Sequence, residues 1–321
     1  MEDIVSGGGC DDLPLEPSGT FEDQLYGSLD LQRAVRDQWG PLATLTATGD
    51  HVYDWKARLG RQLLSIDMRR AVEQQYGSDW APVTVWVHRY DWKALRFSQP
   101  DHMVLPVMLV ASDRFFDIDG VRRGLLRFRS ALGRVHAWYS ARVDGRLRLL
   151  QPLVVRTSLT SVQWNDVSNS TQEDQHRFDL LDEAIEQYEQ ELPKPGENLR
   201  VVLAPYTGES ADVWLGAAWR GGYAVVAPHA TSLDCPVSGP LDERCSNAAY
   251  AIGHELGHTF GLGHSCEVYP HHPRCADSIM QTARPPEAIL LQREICTLLA
   301  SPFFHELGVI VQAQVDGFRS P

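Results

Sequence analysis

One segment constrains this chain more than any other: His254-Glu255-Leu256-Gly257-His258-Thr259-Phe260-Gly261-Leu262-Gly263-His264. On a helix, His254 and His258 are one turn apart on the same face, close enough for two imidazoles to share one ion. Gly261 and Gly263 tolerate the positive φ that a chain needs to leave the helix and bring His264 back to that ion. Three neutral imidazoles leave one position of a tetrahedral zinc site open, which is the arrangement of a catalytic centre rather than a closed structural one. Zinc lowers the pKa of a water it binds to around 7. Glu255 stands where it can take that proton during attack on a carbonyl and return it to the departing amine. The Gly and His that follow the five-residue core lower the accidental rate of such a match by roughly two to three orders of magnitude.

Composition removes other readings. The formal charge of -13 argues against nucleic acid or an anionic membrane as the main partner. No run of about 18 apolar residues is present, so no membrane span is expected. The opening MEDIVSGGGCDDLPLEP has no apolar core and is not a signal peptide. Five of the six cysteines, Cys235, Cys245, Cys266, Cys275 and Cys296, lie in the last third. Cys235 with Cys245, and Cys266 with Cys275, would each close a short loop of a kind common in oxidised extracellular enzymes. Reduced structural thiols are the alternative, and spacing alone does not fix connectivity. On this ground a secreted or cell-envelope location is expected, with a targeting segment missing from the sequence.

The organisation expected along the chain is α/β. Residues 1–20 read as a disordered segment, 21–100 as an N-terminal accessory or pro-like region, and 101–321 as the main domain. Helices are expected after Ser28 and over Leu64–Tyr76, the second ended by Gly77, and a strand over Val83–Val87. Met103–Ala111 is a near-continuous apolar run suited to a strand buried on both faces. Ile118 to Val135 marks a long amphipathic helix, and Leu147–Val155 a strand with Pro152 at an edge or bulge. A further helix spans Phe178 to Leu192, and Val201–Ala204 and Tyr223–Ala227 are short strands. Ser246 can cap the helix carrying the histidines, and Pro285-Pro286 can open a last one. One internal echo stands apart: His51-Val-Tyr53-Asp54-Trp55-Lys56-Ala57 matches His88-Arg-Tyr90-Asp91-Trp92-Lys93-Ala94 at six of seven positions, 37 residues on. Two copies are too few for a solenoid; the choice is between a duplicated small unit and coincidence.

The histidine segment resembles the zinc signature of the metzincin clan of metalloendopeptidases. Ser265, directly after the third histidine, is similar to the matrixin branch. The resemblance implies a twisted mixed sheet, an active-site helix and a methionine turn beneath the metal, for which Ser278-Ile279-Met280 supplies Met280. It also implies an edge strand above the cleft that pairs with extended substrate. Trp219 to Val226 is similar in position, which makes Gly221, Gly222, Tyr223 and Ala224 the substrate-binding candidates. There are departures. Sixteen residues separate His264 from Met280, longer than in a compact matrixin and nearer to reprolysin or pappalysin practice. Thr282 stands where astacin- and serralysin-like members carry a tyrosine. The paired C-x-x-C spacing for a second, cysteine-bound zinc of the archaemetzincin kind is absent. Subfamily stays open.

The expected activity is therefore zinc-dependent hydrolysis of internal peptide bonds in proteins or peptides. His254, His258 and His264 are the ligands of one Zn2+, and Glu255 is the general base and acid. Nothing in the sequence indicates a Ca2+ requirement. The N-terminal region is an intramolecular inhibitor on the zymogen reading, although Gly-Gly-Gly-Cys10 lacks the flanking Arg and Pro of a cysteine switch. Two rival classes remain: a catalytically silent zinc-containing binding or adhesion protein, and a zinc amidase acting on non-protein substrates.

Overall fold

The computed structural model describes residues 21–304. It excludes 23–25, 50–53, 85–91, 97–101, 144–146, 170–178, 190–193, 209–215, 229–230, 232–242, 284–286 and the single residues 180, 184, 187, 220 and 282. The expectations for residues 1–20, Cys10, Val85–Val87, Cys235 and the Pro285-Pro286 helix start lie outside the described residues.

The N-terminal region begins with β1 (Phe21–Glu22) and β2 (Tyr26–Ser28). It continues as α1 (Leu31–Trp39), β3 (Thr44–Ala47), β4 (Trp55–Leu59), β5 (Gln62–Ser65), α2 (Met68–Tyr76), β6 (Trp80–Thr84) and β7 (Trp92–Arg96). Each helix starts at an aspartate whose carboxylate accepts an orphan backbone N–H, Asp30 from Arg33 and Asp67 from Arg70. Each stops at a glycine with positive φ, Gly40 at 90° and Gly77 at 104°. The strands form two antiparallel sheets, β2-β7-β6 and β3-β4-β5.

The rest of the chain is built on β8 (Met103–Val110), which is buried along its whole length. Then come α3 (Ile118–Ser140), β9 (Leu149–Leu150), β10 (Leu153–Arg156), α4 (Ser161–Asn169), β11 (Leu199–Tyr206), β12 (Gly216–Trp219) and β13 (Tyr223–Val226). The last elements are α5 (Glu243–Thr259), α6 (Ser265–Val268) and α7 (Gln292–Ala300). The main sheet runs β1-β9-β8-β11-β13-β12, with β10 also on β8, and is parallel except for β12. The strand expected over 147–155 is interrupted at Gln151-Pro152, because proline has no N–H to give the ladder.

Because side chains alternate across a strand, β8 feeds two cores. Val104, Met108 and Val110 face α3 and α5, packing with Leu125, Phe128, Leu132, Ile252 and Leu256. Leu105, Val107 and Leu109 face the other way, onto Trp164, Leu181, Ile185 and Tyr188. Val83 and Leu95 of the N-terminal region belong to this second core. Two side-chain hydrogen bonds reinforce the join, the Thr84 hydroxyl donating to the Val154 carbonyl at 2.5 Å and the Tyr26 hydroxyl to that of Gln151 at 2.9 Å, beside the pairing of β1 with β9.

Two sequence expectations need correction here. The strand at Tyr223–Val226 is not the sheet edge. It lies between β11 and β12, with Tyr223 and Ala224 fully buried, and Gly221 and Gly222 form the turn before it. Ser246 is no cap, since α5 begins at Glu243.

Candidate metal centre

The last turn of α5 ends in a Schellman motif: Leu262 N–H reaches back to the Gly257 carbonyl and Gly261 N–H to His258, both at 3.0 Å. Gly261, at φ 93°, supplies the left-handed residue this closure requires. Gly263 has a different reason from the one expected. Its φ is not positive, but a Cβ there would lie 2.7 Å from Val268. The turn delivers His264 opposite the helix, where it precedes α6 as its N-cap residue.

The three imidazoles converge. One ring nitrogen from each of His254, His258 and His264 lies within 4.8 Å of the others. Ring centroids are 4.7 Å apart for His254 and His258, 4.8 Å for His258 and His264, and 5.3 Å for His254 and His264. His254 Nδ1 donates to the Ile279 carbonyl at 2.7 Å, and His258 Nδ1 to the Leu262 carbonyl at 2.8 Å. A carbonyl only accepts, so both neutral rings carry their proton on Nδ1 and turn a lone pair outward from Nε2. Those two Nε2 atoms lie 3.1 Å apart. Two lone pairs at that distance repel unless a cation lies between them. A tetrahedral zinc with Zn–N bonds of about 2.0–2.1 Å sets its nitrogens at roughly this spacing, so the donor set fits a zinc ion. Burial pushes the His254 pKa down to about 4 and also lowers that of His258, keeping both in the ligand form.

Glu255 is buried beside this cluster, and burial raises its carboxyl to about 8 against a hydrogen bond from the Ala218 N–H that favours the ionised form. Among the described residues β12 is the outermost strand on this side of the sheet, and it lies directly against Glu255. Gly216 makes room for it: a Cβ there would lie 2.5 Å from Glu255 Cγ. Beneath the histidines, Met280 is fully buried under Gly257, where a Cβ would meet its Sδ at 2.3 Å. Ile279 sits under Gly253 in the same way, at 2.7 Å. Spaced one helical turn apart, the two glycines form a groove along α5 that seats the 279–280 segment.

Comparison places little beside this chain. No family model and no curated relative matches the sequence. Among solved structures, archaemetzincin from Methanopyrus kandleri is similar, at 18% identity and a TM-score of 0.32, over 64% of this chain and 97% of that one.

Sequence reasoning missed the residue that ties the centre together. Glu294 of α7 is 1% exposed. It accepts hydrogen bonds from the hydroxyls of Ser265 and Ser278 and from the Leu291 N–H. Ser265 follows the third histidine, and Ser278 both precedes Ile279 and accepts from the Met280 N–H at 3.0 Å. The available signal was Glu294 standing four residues before Leu298 on the buried face of α7. Cys266 and Cys275 form a disulfide, so neither is a metal ligand; Cys296 is free and exposed. Among the described residues, the three histidines form the one cluster suited to a metal.

Proposed function

We propose that this protein is a zinc-dependent endopeptidase. The carrying observation is the pair of outward-facing Nε2 lone pairs of His254 and His258, completed by His264, with the buried carboxyl of Glu255 between them and β12, the outermost strand among the described residues. When bound, zinc supplies Lewis acidity that acidifies water and polarises a carbonyl. The protein's own residues do the rest. Glu255, in its ionised form, takes a proton from water and returns it to a departing amine. The Ala218 N–H holds its carboxylate in place. Main-chain groups on the outer edge of β12 pair with an extended peptide by strand addition, the role expected of the Trp219–Val226 segment and here assigned to Gly216–Trp219. Met280 serves as the methionine turn under the ligands. The Cys266–Cys275 disulfide supports an oxidising, extracellular setting.

The test is cleavage of a proteome-derived peptide library by the purified chain, with and without a chelator, beside Glu255→Gln. Internal cleavage that is lost on chelation, restored by zinc and absent from the variant is expected. Cleavage that persists through both treatments overturns the proposal. Hydrolysis confined to small non-peptide amides would instead favour an amidase.

A further inference from the structure

The echo at residues 51–57 and 88–94 belongs to a larger repeat. Shifted by 37, the start of α1 (Leu31) falls on that of α2 (Met68), and that of β4 (Trp55) on that of β7 (Trp92). The N-caps Asp30 and Asp67, the terminal glycines Gly40 and Gly77, and the buried pairs Ala34-Val35 and Ala71-Val72 keep the same offset. Buried Ala57 and Ala94 do too.

The two units are interlocked. Strand β2 of the first unit pairs with β7 of the second, setting Gly27 opposite Ala94 and Ser28 opposite Lys93. Strand β5 of the second unit pairs with β4 of the first, setting Leu64 opposite Ala57 and Ser65 opposite Lys56. These registers are identical under the shift. The side chains reciprocate as well. Gln75 clasps the backbone of Asp30, accepting from its N–H at 2.9 Å and donating to its carbonyl at 2.8 Å. Gln38 clasps Asp67 in the same way at 2.9 and 2.7 Å. Trp39 donates to the Ser65 carbonyl as Tyr76 does to that of Ser28. Chance does not generate three kinds of reciprocal match, so this is a two-fold pair of units that have exchanged their first strands.

The two sheets have diverged at their outward positions. In β2-β7-β6, Tyr26, Val83 and Leu95 at these positions pack on the main domain, and Thr84 joins them from the end of β6 through its bond to Val154. The counterparts of those three in β3-β4-β5 are Leu63, Thr46 and Arg58, with Leu63 and Arg58 exposed. The apolar sheet packs on the Leu105–Leu109 face of the main sheet, and α5 with its histidines packs on the opposite face.

We propose that residues 26–96 are a duplicated, strand-exchanged module, one of whose two equivalent faces has become a permanent dock for the main domain. The module is a fixed platform behind the sheet, not the detachable cover that a pro-like role for residues 21–100 implied. This reading does not depend on hydrolysis. The test places a specific protease site between Arg96 and Met103 of the full chain. After cutting, both fragments are expected to elute together in gel filtration, and peptide hydrolysis to change by less than about twofold. Val83→Thr with Leu95→Arg, which copies the free sheet onto the docking sheet, combined with Phe21→Pro to break the pairing of β1 with β9, is expected to release the fragment on cutting. Thr46→Val with Arg58→Leu is expected to leave the association intact. Separation of the unaltered fragments, or a tenfold or greater gain in hydrolysis on cutting (about 1.4 kcal/mol in barrier), overturns the proposal; the unaltered arm decides even if a variant misfolds.

Discussion

His254 donates from Nδ1 to the carbonyl of Ile279 at 2.7 Å, tying the first of the three clustered histidines to the segment that passes under them. With the tautomer fixed before metal arrives, zinc binding demands little rearrangement of this ring. Adding zinc to the metal-free protein is expected to raise its stability by about 3 kcal/mol at a hundredfold excess over Kd. Thermal midpoints across a zinc titration measure this. His258→Ala and His264→Ala should abolish the shift; a shift of full size in either variant would place the ion elsewhere.

Glu255 and His254 give the metal-free protein a defined pH profile. The Glu255 carboxyl titrates ordinarily at 4.5 and at about 8 in the fold, so between those values the native state holds the extra proton and stability falls as pH rises. His254 goes the other way: its pKa drops from 6.5 to about 4, so the unfolded chain holds the extra proton there and stability rises with pH. The two trends offset between about pH 4.5 and 6.5, where metal-free stability is expected to hold nearly level, and it is expected to fall from there to about pH 8. Glu255→Gln should remove the alkaline decline while leaving the acid limb, as read by urea denaturation from pH 4 to 9.

Gly216→Ala tests the fit between the sheet edge and Glu255. The added methyl would lie 2.5 Å from Glu255 Cγ and must displace that side chain. Hydrolysis is expected to fall roughly ten- to a hundredfold, because small misplacements at a reacting group carry penalties of that order. Zinc stoichiometry by elemental analysis should not change. Loss of the metal along with activity would show that Gly216 supports the fold rather than Glu255.

Glu294 is the carboxylate on which the segments after His264 and before Met280 are both strung. Removing it in Glu294→Ala leaves two buried hydroxyls and the Leu291 N–H without their acceptor, at about 2–4 kcal/mol. Zinc affinity is expected to weaken roughly ten- to a hundredfold, the usual penalty for losing an outer support of a metal site. Competition with a chromophoric chelator measures it, and Glu294→Gln, which keeps an acceptor, should recover part of the loss.

What was legible in the sequence follows from local physics. The helices at 31–39 and 118–140 announce themselves through periodic apolar residues, that at 68–76 does so with its start set four residues too early at Leu64, and the convergence of the three histidines is announced by helical spacing and the Gly261 turn. The misplaced edge strand shows the limit. Tyr223–Val226 is apolar and short, and nothing local tells an inner strand from an outer one; the order of strands is decided by pairing across the chain. Glu294 was invisible for the same reason: its partners lie 3, 16 and 29 residues away. The repeat was seen at only seven positions because the rest of the two units agrees in caps, registers and clasps more than in residue identity.

Two of the three imidazoles are aimed by backbone oxygens, those of Ile279 and Leu262, whereas His264 meets the side chain of Glu267 at 3.3 Å on the surface. A main-chain acceptor survives any substitution of its own residue. Substitution of the residues that directly orient the rings therefore reaches His264 through Glu267, while the orientation of His254 and His258 is held by main chain.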